Sequence, residues 1–164
     1  MTTTECEISL TVNGEAVREA VPPRLLLGDF LRERAGIAGT HFGCEQGVCG
    51  TCTVLLDGES IRSCLLFAVQ ADGCEVATVE SLASDGQLHR LQTLFKKHHA
   101  LQCGYCTPGM LMTALDLLAN RPPASEADIR DGIRGNLCRC TGYQNIVAAL
   151  MEAAGLEKAD GAGA

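Results

Sequence analysis

Cys44-Glu45-Gln46-Gly47-Val48-Cys49-Gly50-Thr51-Cys52, or CEQGVCGTC, sets three thiols in a short run broken by two glycines. A third glycine, Gly43, stands just before it, and Cys64 follows Cys52 after eleven intervening residues. The triple is spaced Cys44-x4-Cys49-x2-Cys52, a spacing interleaved with glycine. It suits a loop that wraps sulfur around a centre. Such a loop must also turn backbone N–H groups toward the sulfurs, where hydrogen bonds stabilise charge and tune potential. Residues that tolerate unusual backbone angles are needed for this, hence Gly43, Gly47 and Gly50.

The first three cysteines match the plant-type [2Fe–2S] spacing. A zinc site is the rival, but zinc usually takes its thiolates from two short-spaced knuckles. A triple interleaved with three glycines suits a cluster better. A Rieske centre needs two histidines; His41 is near, no second His stands at ligand spacing in this half, and His41 is read as an ordinary loop residue. The fourth cysteine departs from a generic plant-type ferredoxin, in which it lies much further along the chain.

A second set supplies CGYCTP, Cys103 to Pro108, and CRC, Cys138 to Cys140, separated by 31 residues. Each pair precedes an expected helix, where free N–H groups and the positive dipole end favour thiolates. Two such pairs brought together by antiparallel helices would form a four-cysteine cage in a bundle. A thioredoxin-type dithiol would need a βαβ context and would leave Cys138 and Cys140 unexplained. Spacing alone leaves cluster and zinc both open here, and the first set tilts the choice toward a cluster.

Composition sets the frame. The chain has 164 residues, of which 46% are apolar and only 4% aromatic, with no Trp. That is room for one domain or two small ones, with loops ordered by means other than large side chains. Ten cysteines without a basic-then-apolar N-terminal leader point to metal ligation rather than disulfides, and to a cytoplasmic protein. No apolar run is long enough for a transmembrane segment. A formal net charge of −7 and no basic run beyond Lys96-Lys97 argue against a nucleic-acid partner.

Residues 6–80 read as β-rich. CEISLTV alternates and meets Asn13-Gly14, a hairpin signal, with EAVREAV as the returning strand. Leu26, Leu27, Phe30 and Leu31 make a helical stripe ended by Gly36. Thr53 to Leu56, the turn Asp57-Gly58 and ESIRSCLLFAV make a second hairpin, and CEVATVE a last strand.

Residues 88–155 read as helical, on stripes at Leu88, Leu91, Leu94 and Phe95, at Leu111, Ala114, Leu115 and Leu118, and at Ile146, Val147, Leu150 and Met151. Thr107 is the expected N-cap of the second helix, with Pro108 at its first position. Pro122-Pro123 stops that helix, and Ser125 with Asp128 resembles a capping box. SLASDGQ is the expected linker. The two units are expected at 1–80 and 81–164, the second ending in a disordered tail, KADGAGA.

GCEQGVCGTCTVLLDG with the following SC, QCGYCTPGM and GNLCRCTGY together resemble the small iron–sulfur subunit of the molybdenum hydroxylases. That family includes xanthine dehydrogenase, aldehyde oxidoreductase, carbon monoxide dehydrogenase and bacterial dehydrogenases of N-heterocycles. The resemblance covers roughly residues 6–155. It implies an α+β protein, with an N-terminal β-grasp, [2Fe–2S] ferredoxin-like domain followed by a C-terminal four-helix bundle carrying a second [2Fe–2S] cluster. It implies ligands Cys44, Cys49, Cys52 and Cys64 for one cluster and Cys103, Cys106, Cys138 and Cys140 for the other. It puts Gln102 and Cys103 against a molybdopterin, in its cytosine dinucleotide form, held by a large partner subunit. A medium partner subunit would hold FAD, and the assembly would be a dimer of heterotrimers. Electrons would leave the molybdenum centre, pass through the bundle cluster and then the ferredoxin cluster, and reach FAD.

No base, nucleophile or substrate pocket is legible, and no flavin fingerprint. A free-standing ferredoxin-type electron carrier is the alternative reading, and a zinc-stabilised interaction module a third. Cys6 and Cys74 belong to neither set and read as small, partly buried thiols. His98 and His99 read as cations at a helix end. Tyr105 and Tyr143 read as shields that keep water from a cluster. Arg139 would balance cluster charge or pair with a partner.

Overall fold

Apolar residues at every second position of Cys6–Val12 make strand β1, which buries Ile8, Leu10 and Val12. Asn13-Gly14 turns the chain straight into β2, Glu15–Val21, with Val12 opposite Glu15 and Cys6 opposite Val21. This is the tight two-residue hairpin that Asn-Gly favours. The structure, a computed structural model, describes residues 5–156. The expected C-terminal tail lies outside the described residues.

Asp57-Gly58 joins β3, Thr53–Leu56, to β4, Glu59–Arg62. Strand β5, Glu75–Ala77, enters between β1 and β3, parallel to the first and antiparallel to the second. The sheet order is β2-β1-β5-β3-β4. The expected 25–36 helix forms as α1, Leu27–Asp29, running directly into a π-helical turn, Phe30–Arg34. Leu27, Phe30 and Leu31 are fully buried against the sheet with Val21, Val54 and Val76. The mixed sheet wraps this helix as a β-grasp does.

ESIRSCLLFAV does not run as one strand. It leaves the sheet after Arg62, because Leu65 N–H turns back to Arg62 O and Ser63 Oγ donates to Cys52 O at 2.8 Å. That departure is what swings Cys64 toward Cys52. A 3₁₀ turn, Ala68–Ala71, follows.

The second half is four helices: α2, Arg90–Lys97; α3, Thr107–Asn120; α4, Glu126–Ile133; and α5, Gln144–Ala153. Phe95, Met110, Ile129, Ile146 and Leu150 lead a core separate from that of the sheet. Two caps differ from expectation. Thr107 is already inside α3, and Cys106 takes the cap position with no side-chain bond of its own. Ser125 does cap α4, accepting from Asp128 N–H at 3.2 Å, but Asp128 reaches back to Ala124 N–H rather than to the cap residue itself. The shorter Asp side chain makes half of a capping box.

Helix α3 packs on α4 and also on β3 and β4, so it joins the two halves. Its buried Asp116 accepts from Ser60 Oγ of β4 at 2.6 Å, from Asn120 Nδ2 at 2.7 Å and from Arg121 Nη2 at 2.9 Å. Burial pushes this carboxyl up, but the three donors outweigh it and hold it below the usual carboxylate range. A lowered folded-state value means the ionised form stabilises the fold. The contribution is present above the ordinary aspartate value of about 3.9 and is lost as pH falls below it through the lowered value. Asp116→Asn is therefore expected to lower the urea midpoint at neutral pH, and the gap to the parent protein should shrink below about pH 4. A gap that stays constant from neutral pH into the acid limb would contradict this.

Candidate functional site

All ten cysteines are free thiols, and eight of them stand in two groups. In the first, the β3–β4 hairpin and the 43–52 loop converge. Gln46 and Cys49 point their N–H groups at Cys44 Sγ from 3.5 and 3.3 Å and bring its thiol down to about 7. Thr51 Oγ1 donates to Cys49 Sγ at 3.2 Å. Cys52 and Cys64 are both buried; burial first, then the neighbouring Cys52, pushes Cys64 up to about 11. The pairs are thus Cys44 with Cys49 and Cys52 with Cys64.

The second group lies at the N-terminal ends of α3 and α5. Cys103 and Cys140 place their sulfurs 3.5 Å apart and are exposed. Cys106 and Cys138 form the inner pair; burial, then Cys138, pushes Cys106 up to about 12. Thr141 Oγ1 lies 3.1 Å from Cys138 Sγ. Gln102 sits at the exposed rim, its Nε2 donating to Cys140 O at 3.1 Å.

These donors fit a two-iron core better than a single ion. Among the described residues no three His, Cys, Asp or Glu side chains stand at the spacing that holds one metal ion directly. A tetrathiolate zinc site would bring all four sulfurs of a set onto one ion. A two-iron core takes four thiolates, two per iron, so the pairs stand apart.

The leftover residues have structural roles. His41 is not an idle loop residue: its ring stacks on Tyr105 at 4.7 Å, and its Nδ1 lies 2.9 Å from Tyr105 O. Tyr105 Oη donates to Phe42 O at 2.6 Å. Tyr143 Oη accepts from Cys138 N–H at 2.9 Å and so holds the second loop. His98 pairs with Glu152 at 2.6 Å. Cys6 and Cys74 are half-buried and stand apart from both groups. Sequence reading missed Asn136, Arg62 and Gly109, which tie the two cysteine loops together. An Asn two residues before a ligand-type Cys, in GNLCRC, was the available signal.

The chain matches the family model described as a 2Fe–2S iron–sulfur cluster binding domain over residues 10–83, and the one described as a [2Fe–2S] binding domain over 78–151. It is 56% identical over 146 residues to the gamma subunit of caffeine dehydrogenase from Pseudomonas sp. (strain CBB1), covering 87% of each chain. It is 51% identical over 149 residues to the nicotine 6-hydroxylase small subunit from Paenarthrobacter nicotinovorans, covering 91% of this chain and 90% of that one. Its fold matches a chain of quinoline 2-oxidoreductase from Pseudomonas putida 86 with a TM-score of 0.88 at 52% identity, over 92% of this chain and 93% of that chain.

Proposed function

The chain belongs to the small iron–sulfur subunits of the molybdenum hydroxylases, and on that premise we propose how its own residues serve the electron relay of such an enzyme. It is an electron-transfer subunit with two [2Fe–2S] domains and no substrate site, working with molybdopterin and FAD on partner subunits. We assign Cys44, Cys49, Cys52 and Cys64 to one cluster, and Cys103, Cys106, Cys138 and Cys140 to the other. The domain units are 1–80 and 81–164. When bound, the clusters accept and pass single electrons, which lets the electron pair of a substrate oxidation reach the flavin in two steps.

What supports the reading is the arrangement of the thiols as two quartets of facing pairs, in loops that touch each other. The residues around them do the rest. Gln46, Cys49 and Thr51 aim donors at sulfur, which stabilises thiolate charge. Burial of Cys52 and Cys64 keeps water from that inner pair of the first quartet. The exposed edge of the second, Cys103 and Cys140 with Gln102, Leu101 and Tyr105, would face the molybdopterin subunit. Gln102 holds the Cys140 carbonyl, which fixes that edge. Exposed Val48 and Leu65, beside the first quartet, would face the flavin subunit.

The substrate class would be an N-heterocycle, in keeping with the caffeine, nicotine and quinoline enzymes that the chain is similar to. The assembly would be a dimer of heterotrimers in the cytoplasm, where ten unpaired cysteines stay reduced. The test is elemental analysis of the purified complex. Two clusters of two irons each predict four irons and four acid-labile sulfides per copy of this chain. Two distinct EPR signals should appear on reduction. Zinc in place of iron, or a chain that purifies as an active monomer without molybdenum and flavin partners, would overturn the reading.

A further inference from the structure

The two cysteine loops meet at one place close to both quartets. Leu137 N–H donates to Cys49 O at 2.8 Å, and Leu137 is the neighbour of Cys138. The route from Cys49 Sγ to Cys138 Sγ therefore runs through three residues and a single hydrogen bond. One residue earlier, Asn136 Nδ2 donates to Gly50 O at 3.0 Å. Consecutive carbonyls, 49 and 50, are thus gripped by consecutive residues, 137 and 136.

Asn136 is only 1% exposed, and both halves of the molecule hold its side chain. Thr113 Oγ1 of α3 donates to Asn136 Oδ1 at 3.0 Å, and Arg62 Nη2 of β4 lies 3.4 Å from the same oxygen. Arg62 also donates to Gly135 O at 2.9 Å and to Thr53 Oγ1 at 2.6 Å. Tyr143 Oη donates to Asn136 O at 3.3 Å. A buried amide with this many fixed partners is costly to disturb and holds one geometry.

We propose that Asn136 is a positioning residue for electron exchange between the two quartets, acting by holding the Leu137 N–H on the Cys49 carbonyl. The inference rests on the relay reading above. With both clusters bound, the Cys103 quartet would hold the centre that gives up one electron and is oxidised, and the Cys44 quartet the centre that takes it and is reduced. No proton moves, and no bond forms or breaks. A second connection, from Tyr105 to Phe42, is longer, because it passes through the whole phenol ring.

The test uses the holoenzyme with Asn136→Ala, and with the milder pair Thr113→Val and Thr113→Ser. One electron is injected by a flash-generated deazaflavin radical, and its internal passage to the flavin is followed by absorbance. In Asn136→Ala, iron, sulfide and both EPR signals should persist. The spin–spin interaction between the reduced centres should change, and amide exchange across 136–138 should speed up. Passage to the flavin should slow severalfold, because the Leu137 N–H to Cys49 O hydrogen bond that closes the route is loosened. Thr113→Val should show a smaller loss of the same kind, and Thr113→Ser should restore the rate. Unchanged passage in Asn136→Ala despite faster amide exchange would overturn the proposal. So would a larger slowing by Tyr105→Phe. If Asn136→Ala fails to assemble, a normal rate in Thr113→Val would overturn it equally. An absence of clusters from the parent enzyme would defeat the relay reading instead.

Discussion

Cys103→Ala is expected to abolish substrate turnover by the holoenzyme while leaving one of the two iron–sulfur EPR signals intact. Cys103 is one of the two exposed thiols of its quartet, 3.5 Å from Cys140, and its loss leaves that outer pair with a single sulfur. Nothing nearby replaces it. Among the described residues Cys6 and Cys74 are the cysteines outside the quartets, and Cys74 Sγ points instead at Asp72 O from 3.9 Å. Removing a supporting hydrogen bond at a metal site costs ~10–100-fold in metal affinity or activity. Removing a ligand breaks the chain of carriers and should cost more. The first quartet is built from a different loop and hairpin, so its signal should survive and iron content should fall by about half. Cys74→Ala serves as control and should keep both signals and full turnover. Normal turnover with both signals in Cys103→Ala would sink the assignment of that thiol.

Local patterns carry the elements well, and long-range contacts poorly. Asn13-Gly14 between alternating runs suffices for the β1–β2 hairpin, because two residues decide that turn. The helical stripes at Leu91, Leu94 and Phe95 and at Ile146, Val147 and Leu150 are buried as their spacing implies, but Leu88, expected on the first of them, lies ahead of α2 and is exposed. The 59–69 run reads as one strand but breaks, because the break is imposed from outside, by Ser63 and Cys64 bonding and turning toward the Cys52 segment. The cap of α3 falls one residue earlier than expected: Thr107 has the right chemistry, but the chain has already entered the helix there. At the site, cysteine spacing suggests two quartets without saying which thiols pair. The face-to-face contact of loops 49–50 and 135–137 has no local signature, since the residues are some 86 positions apart. Gly50 is legible as a residue of a turning loop. That its missing side chain is also the space into which another loop fits is not.

Gly50→Ala is the substitution that isolates that second property. Gly50 has φ +73°, and a Cβ there would lie 2.4 Å from Gly135 O and 2.8 Å from Asn136 Cγ and Nδ2. None of these atoms can give easily. Gly135 O is held by Arg62, and Asn136 is buried and bonded on both sides. The left-handed backbone costs a side chain roughly 1–2 kcal/mol, and forcing atoms into a packed contact costs typically ~1–3 kcal/mol. The sum is a large part of the total stability of an ordinary domain, about 5–15 kcal/mol. At about 2–4 °C per kcal/mol for a chain of this size, the melting temperature should fall by roughly 5–15 °C. Gly73→Ala separates the two causes, because Gly73 has φ +80° and a methyl group there would meet nothing within 4 Å. It should carry only the backbone cost. Gly109→Ala provides the converse, a crowded contact 2.3 Å from Gly50 O on a helical backbone. Equal melting temperatures for Gly50→Ala and Gly73→Ala would mean that the two cysteine loops are not pressed together at Gly50. A deeper loss for Gly50→Ala, matched in part by Gly109→Ala, would mean that close backbone contact is what keeps the two quartets at a fixed separation.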